Sequence, residues 1–139
     1  MLASYKHFNA KSNADEGQSH HPLIVRRLGL QEYEPIWKSM RYLVEQANAA
    51  RGDEIWLLSH KPVFTQGLAG KAKHILNSAE IPVVQIDRGG QVTYHGPGQL
   101  VVYLLLNVGR RNMNGRDLVD LIEQAIINTI TQNPELQAF

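Results

Sequence analysis

The segment Asp87–Gln99 constrains the fold more than any other part of this chain. It contains four glycines within ten residues, whereas a two-residue β-turn needs only one or two. Glycine allows the backbone to approach another group closely or to adopt a positive φ. Between the glycine pairs, Gln91–His95 has the alternating character of a strand, and the apolar run Leu100–Leu106 follows. The sequence therefore predicts a glycine-rich connection that leads into a strand lining a surface.

This glycine-rich segment allows two interpretations. In the first it is a pair of turns with solvated polar side chains. In the second its free N–H groups meet a carbonyl or phosphate oxygen, with Arg88 and His95 as directional donors. It is not a nucleotide fingerprint, because no G-x-G-x-x-G opens a helix, no Walker lysine follows, and the segment continues into a strand. The residues of the segment alone leave both interpretations open.

Apolar periodicity and turn residues predict the elements on either side. The predicted strands are Leu23–Leu28, which Gly29 ends, Glu54–Ser59, Val83–Ile86, Gln91–His95 and Gln99–Val108. The predicted helices are Gln31–Ala49, with Pro35 in its first turn, and a helix capped by Asn114 with Asp117 whose apolar face runs from Leu118 to Ile130; a short helical turn is predicted at Lys71–Leu76. The segment His60–Gly67 is broken by Pro62 and Gly67. Strands interleaved with helices predict an α+β fold, an α/β mixed sheet flanked by helices.

Composition excludes several classes of function. The chain has no cysteine, which excludes disulfides and any thiolate supplied by these residues, and its net charge of +1 gives no basic field for nucleic acid or anionic lipid. The longest apolar run is too short to cross a membrane. Residues 1–21 are polar and lack a signal segment, so we predict a flexible tail and a cytoplasmic location. No histidines or carboxylates have metal-ligand spacing in the folded part, and we expect neither a metal nor a cofactor.

The segment Arg88–Gln99 reads Arg-Gly-Gly-Gln-Val-Thr-Tyr-His-Gly-Pro-Gly-Gln, which resembles the signature of the lipoyl(octanoyl) transferases. Pro62–Gly67 and Arg27–Leu30 agree with the same family, so the resemblance extends over about Leu23 to Gln132. It implies the fold of the biotin/lipoate protein ligase catalytic domains. Residues 22–139 are then expected to be the N-terminal portion of a single octanoyltransferase catalytic domain.

The resemblance also implies a reaction and a site. Octanoyl would move from octanoyl-acyl carrier protein to a lysine of lipoyl domains, those of the 2-oxo acid dehydrogenases and of the glycine cleavage H protein, through a cysteine thioester. The substrate-binding residues would be Arg88, Gly89, Gly90, Gln91, Val92, Thr93, Tyr94 and His95. The reactive cysteine and its partner lysine are expected beyond Phe139, so the chain is expected to be a fragment that is inactive alone and a monomer when full length. With apolar surface uncovered, we expect the isolated chain to be marginally stable or self-associating.

Two alternatives remain open. One is a non-catalytic module that binds an acyl group or a carrier protein, which the absence of cysteine permits. The other is an ATP-dependent lipoate or biotin protein ligase of the same fold. A hydroxyl nucleophile is disfavoured, because Ser59, Thr65 and Ser78 lie in no nucleophile elbow. His60 is predicted to be a site-lining or surface residue.

Overall fold

The computed structural model describes residues 22–46, 52–71, 75, 78 and 80–133. The chain divides into two compact units, with the boundary between Leu105 and Leu106. The described elements of the first unit are β1 (Leu23–Gln31), α1 (Tyr33–Glu45), β2 (Asp53–His60), β3 (Val63–Gln66), β4 (Val83–Gln85), β5 (Val92–His95) and β6 (Val101–Leu105), and that of the second is α2 (Gly115–Thr131). The predicted tail of residues 1–21, and most of the predicted turn Lys71–Leu76, lie outside the described residues.

The strands form two three-stranded sheets in the order β1-β2-β6 and β4-β3-β5. In the first sheet, β2 runs parallel to β1 and antiparallel to β6. In the second, β3 runs parallel to β4 and antiparallel to β5. Both sheets are therefore mixed, and helix packs against them, which confirms the predicted α+β class. That residues 22–139 belong to a single domain stays a prediction.

Helix α1 anchors both sheets of the first unit. Its Ile36 packs with Trp56 and Leu58 of β2, while Tyr33, in its first turn, packs with Val63 of β3. Because side chains alternate along a strand, the buried Glu54, Trp56, Leu58 and His60 of β2 share the face that α1 covers. The start of α1 therefore lies where the two sheets meet.

The first strand does not end at Gly29, as the sequence predicts, but continues to Gln31. Gly29 has a φ of +69°, and the pairing register shifts between Arg27 and Gly29, so the glycine forms a bulge inside the strand. Helix α1 consequently begins at Tyr33 rather than Gln31, with Pro35 in its first turn as predicted. It ends at Glu45, and residues 47–49 of the predicted helix lie outside the described part of the chain.

The segment after β2 holds a strand, β3, that the sequence prediction misses. Pro62 immediately precedes its first residue and Gly67 immediately follows its last, so both breakers lie outside the strand. The predicted strand Gln99–Val108 is in turn too long, because β6 spans only Val101–Leu105. Its last residue pairs with Glu54, and β2 offers only one further residue for pairing.

The second unit contains α2, which begins with the predicted cap. The Asn114 side chain accepts hydrogen bonds from the backbone N–H groups of Arg116 and Asp117, and the Asp117 carboxylate accepts one from the Asn114 N–H. This reciprocal capping box fixes the first turn. Large apolar side chains of the helix are exposed: Val119, Leu121, Ile126, Ile127 and Ile130. Neither α2 nor any other helix in the described ranges is long and apolar enough to span a membrane.

Candidate functional site

Two backbone segments interlock beside β3 and β5. The first is Gly67–Gly70, and the second, Arg88–Gln91, is here called the glycine loop. Gly67 N–H donates to the Gln91 carbonyl at 3.1 Å, Leu68 N–H to the Arg88 carbonyl at 2.9 Å, and Ala69 N–H to the Gly90 carbonyl at 3.1 Å. A Cβ on Gly67 would lie 2.6–2.9 Å from the carbonyl oxygens of residues 88–90. Close backbone contact therefore requires glycine at position 67.

The same contact orients the N–H groups of the glycine loop. In a trans peptide the carbonyl and the following N–H point in opposite directions. Because the carbonyls of residues 88–90 point towards Gly67, the N–H groups of Gly89, Gly90 and Gln91 point away from it. No described residue accepts a hydrogen bond from these three N–H groups, and all three residues are exposed. Gly90 has a φ of +82°, in the left-handed region that other residues rarely adopt, so the backbone conformation of the loop favours glycine at this position.

The Arg88 guanidinium holds this loop in place. Its Nη2 donates to the Thr65 carbonyl at 3.0 Å, to Thr65 Oγ1 at 2.9 Å and to Thr93 Oγ1 at 3.0 Å, and its Nη1 donates to the Gly89 carbonyl at 2.8 Å. Thr65 is fully buried on β3, the central strand of its sheet. The sequence predicts Arg88 as a donor towards a ligand, whereas these contacts join β3, β5 and the loop to one another.

The other predicted site residues lie on two opposite faces of β5, because side chains alternate along a strand. Thr93 and His95 face Arg88 and Thr65. The Tyr94 ring instead packs on Phe64, with ring centroids 5.3 Å apart, and lies over Gly96. Val92 shares the Tyr94 face because it is two residues away on the same strand. The structure thus brings together the glycine loop, Thr93 and His95, and turns Val92 and Tyr94 to the opposite side.

His95 lies against Tyr33 and His60, and His60 in turn contacts Tyr103; of these three, only His60 is predicted from the sequence as a possible site-lining residue. We call Tyr33, His60, His95 and Tyr103 the ring cluster. The Tyr33 centroid lies 5.0 Å from that of His60 and 6.0 Å from that of His95, and His60 lies 6.0 Å from His95. These four residues come from α1, β2, β5 and β6. The sequence signal that could have revealed them is weak: a tyrosine inside an apolar run, and a histidine ending a buried strand.

His60 is fully buried and is not the surface residue that one reading of the sequence allowed. Its Nδ1 lies 3.3 Å from the Gln31 carbonyl oxygen, which can only accept, so Nδ1 carries the proton and donates. Its Nε2 then accepts from the Tyr103 hydroxyl at 2.9 Å. Burial lowers the pKa of His60 and raises that of Tyr103. Both side chains are therefore neutral near pH 7.

We predict that acidification destabilises the chain through His60. Since burial holds its pKa in the folded chain below the ordinary 6.5, the unfolded chain binds this proton first as the pH falls. The His60 contribution to stability is present above about pH 6.5 and is lost as the pH falls below that value. Urea unfolding at about pH 7.5 and about pH 5.5 measures the loss. His60→Gln removes this titrating side chain and keeps the other histidines. A free energy of unfolding that depends on pH in this variant as it does in the wild type would contradict the prediction.

Tyr33 connects the ring cluster to a groove of about 780 Å³ between the start of α1 and the second sheet. The walls of the groove are mainly apolar and include Pro35, Val63, Ile81, Pro82 and Val84. Lys61 and Glu32 form an ion pair of 2.8 Å at its edge. The Tyr33 side chain is nearly buried, which raises its pKa and keeps the hydroxyl protonated. Within the described ranges, no group of three histidine or acidic side chains could hold a metal ion.

The mixed sheets flanked by helix match the fold of a catalytic domain of the biotin/lipoate protein ligase type. Residues 32–138 match the family described as the lipoyl protein ligase A/B catalytic domain. The match covers more than half of the chain, and the chain therefore belongs to this family.

Individual relatives agree with this assignment. An octanoyltransferase from Vibrio campbellii is 58% identical over 110 residues, which are 79% of this chain and 50% of that protein. One from Hahella chejuensis is 59% identical over 108 residues, 78% of this chain and 48% of that protein. One from Aliivibrio fischeri is 53% identical over 109 residues. The resemblance seen in the sequence is confirmed, and the chain spans about half the length of the curated relatives it matches.

Proposed function

We propose that these residues form the substrate-binding half of an octanoyltransferase of lipoate biosynthesis. Octanoyl would pass from octanoyl-acyl carrier protein to a lysine of lipoyl domains, those of 2-oxo acid dehydrogenases and the glycine cleavage H protein. The observation that carries the proposal is the set of N–H groups at Gly89, Gly90 and Gln91 from which no described residue accepts, on a loop that Arg88 and Thr65 connect to His95 of the ring cluster. The octanoyltransferases among the relatives support it.

The loop N–H groups suit the carbonyl oxygen of a thioester. That oxygen gains negative charge when a nucleophile attacks, and fixed backbone donors stabilise such charge. In the proposed reaction a cysteine thiolate attacks the thioester carbonyl, the carrier thiol leaves, and the lysine amine then displaces the enzyme thiol. The 139 residues contain no cysteine, so the thiolate must come from outside them. The groove beside Tyr33 offers apolar walls for the acyl chain.

A second candidate is an acyl- or carrier-protein-binding module without chemistry of its own, which the zero cysteine count favours for these residues taken alone. An ATP-dependent ligase has less support, because the glycine loop leads into β5 rather than into a helix N-terminus that would bind phosphate. A cytoplasmic location, a monomeric full-length enzyme and a marginally stable isolated chain stay predictions.

The proposal is tested by adding octanoyl-acyl carrier protein to the ¹⁵N-labelled chain. We expect the amide resonances of Gly89, Gly90 and Gln91 to shift, and acyl carrier protein without the acyl group to shift them less. Intact mass measurement should show no octanoyl adduct on the chain, because it has no thiol. Unmoved loop amides would contradict the proposed site, and an adduct would contradict the need for an external cysteine.

A further inference from the structure

His95 is held at both ring nitrogens. Its Nδ1 lies 2.8 Å from Gln99 Oε1, and its Nε2 lies 3.5 Å from Thr65 Oγ1. An amide oxygen can only accept a hydrogen bond, so Nδ1 carries the proton. A neutral imidazole has one N–H, which leaves Nε2 with its lone pair. The ring therefore adopts the Nδ1–H tautomer, the less populated one in free histidine.

Gln99 is itself fixed. Its backbone carbonyl accepts from the Ser59 hydroxyl at 2.9 Å, and its N–H donates to the Gly96 carbonyl at 3.2 Å. The side-chain oxygen is thus presented to His95 from an anchored backbone. This backbone anchoring makes Gln99, although it is exposed, a fixed acceptor for Nδ1–H.

The other nitrogen of His95 faces a hydroxyl with a defined direction. Arg88 Nη2 donates to Thr65 Oγ1 at 2.9 Å, so the hydroxyl hydrogen of Thr65 is available to point towards His95 Nε2. All three hydrogen bonds are therefore donated in the same direction: Arg88 donates to Thr65, Thr65 to His95, and His95 to Gln99. The middle contact of this series, from Thr65 Oγ1 to His95 Nε2 at 3.5 Å, is longer than the usual 2.7–3.2 Å and is therefore weak. An incoming donor at Nε2 would therefore have only a weak hydrogen bond to displace.

We infer that His95 offers a hydrogen-bond acceptor, not a donor, to the site, and that Gln99, Thr65 and Arg88 are positioning residues that set this polarity. The group that donates to His95 must then carry a proton, as do the thiol and the amine that take part in the acyl transfer. The thioester carbonyl oxygen, itself an acceptor, is left to the loop N–H groups. The identity of this partner rests on the proposed function, whereas the tautomer does not.

The tautomer is measured by long-range ¹H–¹⁵N correlation on the whole chain at about pH 8, where histidine is neutral. We expect pyrrole-type Nδ1 and pyridine-type Nε2 shifts for His95. Gln99→Met removes the acceptor and should move both shifts towards the Nε2–H pattern, while Gln99→Glu, which keeps an acceptor, should restore the wild-type pattern. His60 has the same tautomer through Gln31 and serves as the internal control for an intact fold.

The wild-type spectrum decides the assignment even if Gln99→Met fails to fold. An Nε2–H pattern for wild-type His95 would overturn the inference, and so would a pattern that Gln99→Met leaves unchanged while His60 keeps its own. Titration with S-octanoyl-pantetheine then separates the two proposals. Resonances of His95 that do not respond would contradict the proposed acyl site and leave the tautomer standing.

Discussion

Gly67→Ala is expected to lower the free energy of unfolding by about 3 kcal/mol, at the upper end of the cost of overpacking. The new methyl group would lie 2.6 Å from the Gly90 carbonyl oxygen and 2.7 Å from that of Gly89. Both neighbours are backbone atoms, so neither can rotate away as a side chain would. The glycine loop must separate from Gly67–Gly70, which also breaks the hydrogen bonds between them. Urea unfolding followed by tryptophan fluorescence measures the loss.

The matched control is Gly89→Ala. A Cβ at Gly89 meets nothing within 4 Å, and its φ is not in the left-handed region. We expect its stability to stay within about 0.5 kcal/mol of the wild type, as for most surface substitutions. Equal losses in the two variants would show that the close approach at Gly67 is not what holds the loop.

Arg88→Met is expected to cost about 3 kcal/mol, because a buried acceptor left without its charged donor bears its full desolvation cost. Methionine keeps much of the length of the side chain but donates no hydrogen bonds. Thr65 Oγ1 and Thr93 Oγ1 would lose the guanidinium that joins them, and the Gly89 carbonyl would lose its donor. Hydrogen exchange at the amides of β5 should also become faster. Thermal or urea unfolding gives the change in stability.

The matched control is Arg27→Met, because Arg27 does not connect strands and the glycine loop as Arg88 does. Arg27 is exposed on β1 of the same unit. Its replacement should change stability by no more than about 0.5 kcal/mol. The loss of stability in Arg88→Lys should lie between those of Arg88→Met and Arg27→Met, because an ammonium group is a point charge and cannot match the planar set of donors of a guanidinium. A stability of Arg88→Met equal to that of Arg27→Met would contradict the bracing role.

Local signals in the sequence predict local structure well in this chain. The cap of α2 follows from Asn114 and Asp117 three residues apart, because both partners lie in one turn. Strand β5 follows from alternation between two glycine pairs. At Gly29 the residue type correctly indicates a special conformation, yet the outcome is a bulge rather than a strand end. Pairing with β2 continues past the glycine, and no residue near Gly29 encodes that partner.

By itself, the sequence determined the glycine loop, the capped helix, the α+β class and, through one twelve-residue segment, the family of the chain. Each depends on residues adjacent in the chain or one turn apart. Only the tertiary structure decided which side chains come together at the candidate site. It turned Arg88 inward to Thr65, sent Tyr94 to the far side of β5, brought Tyr33 and His60 to His95, and brought Tyr103 to His60. Those contacts join residues 23 to 62 positions apart, and contacts between residues so distant in the chain leave no periodic pattern in the sequence.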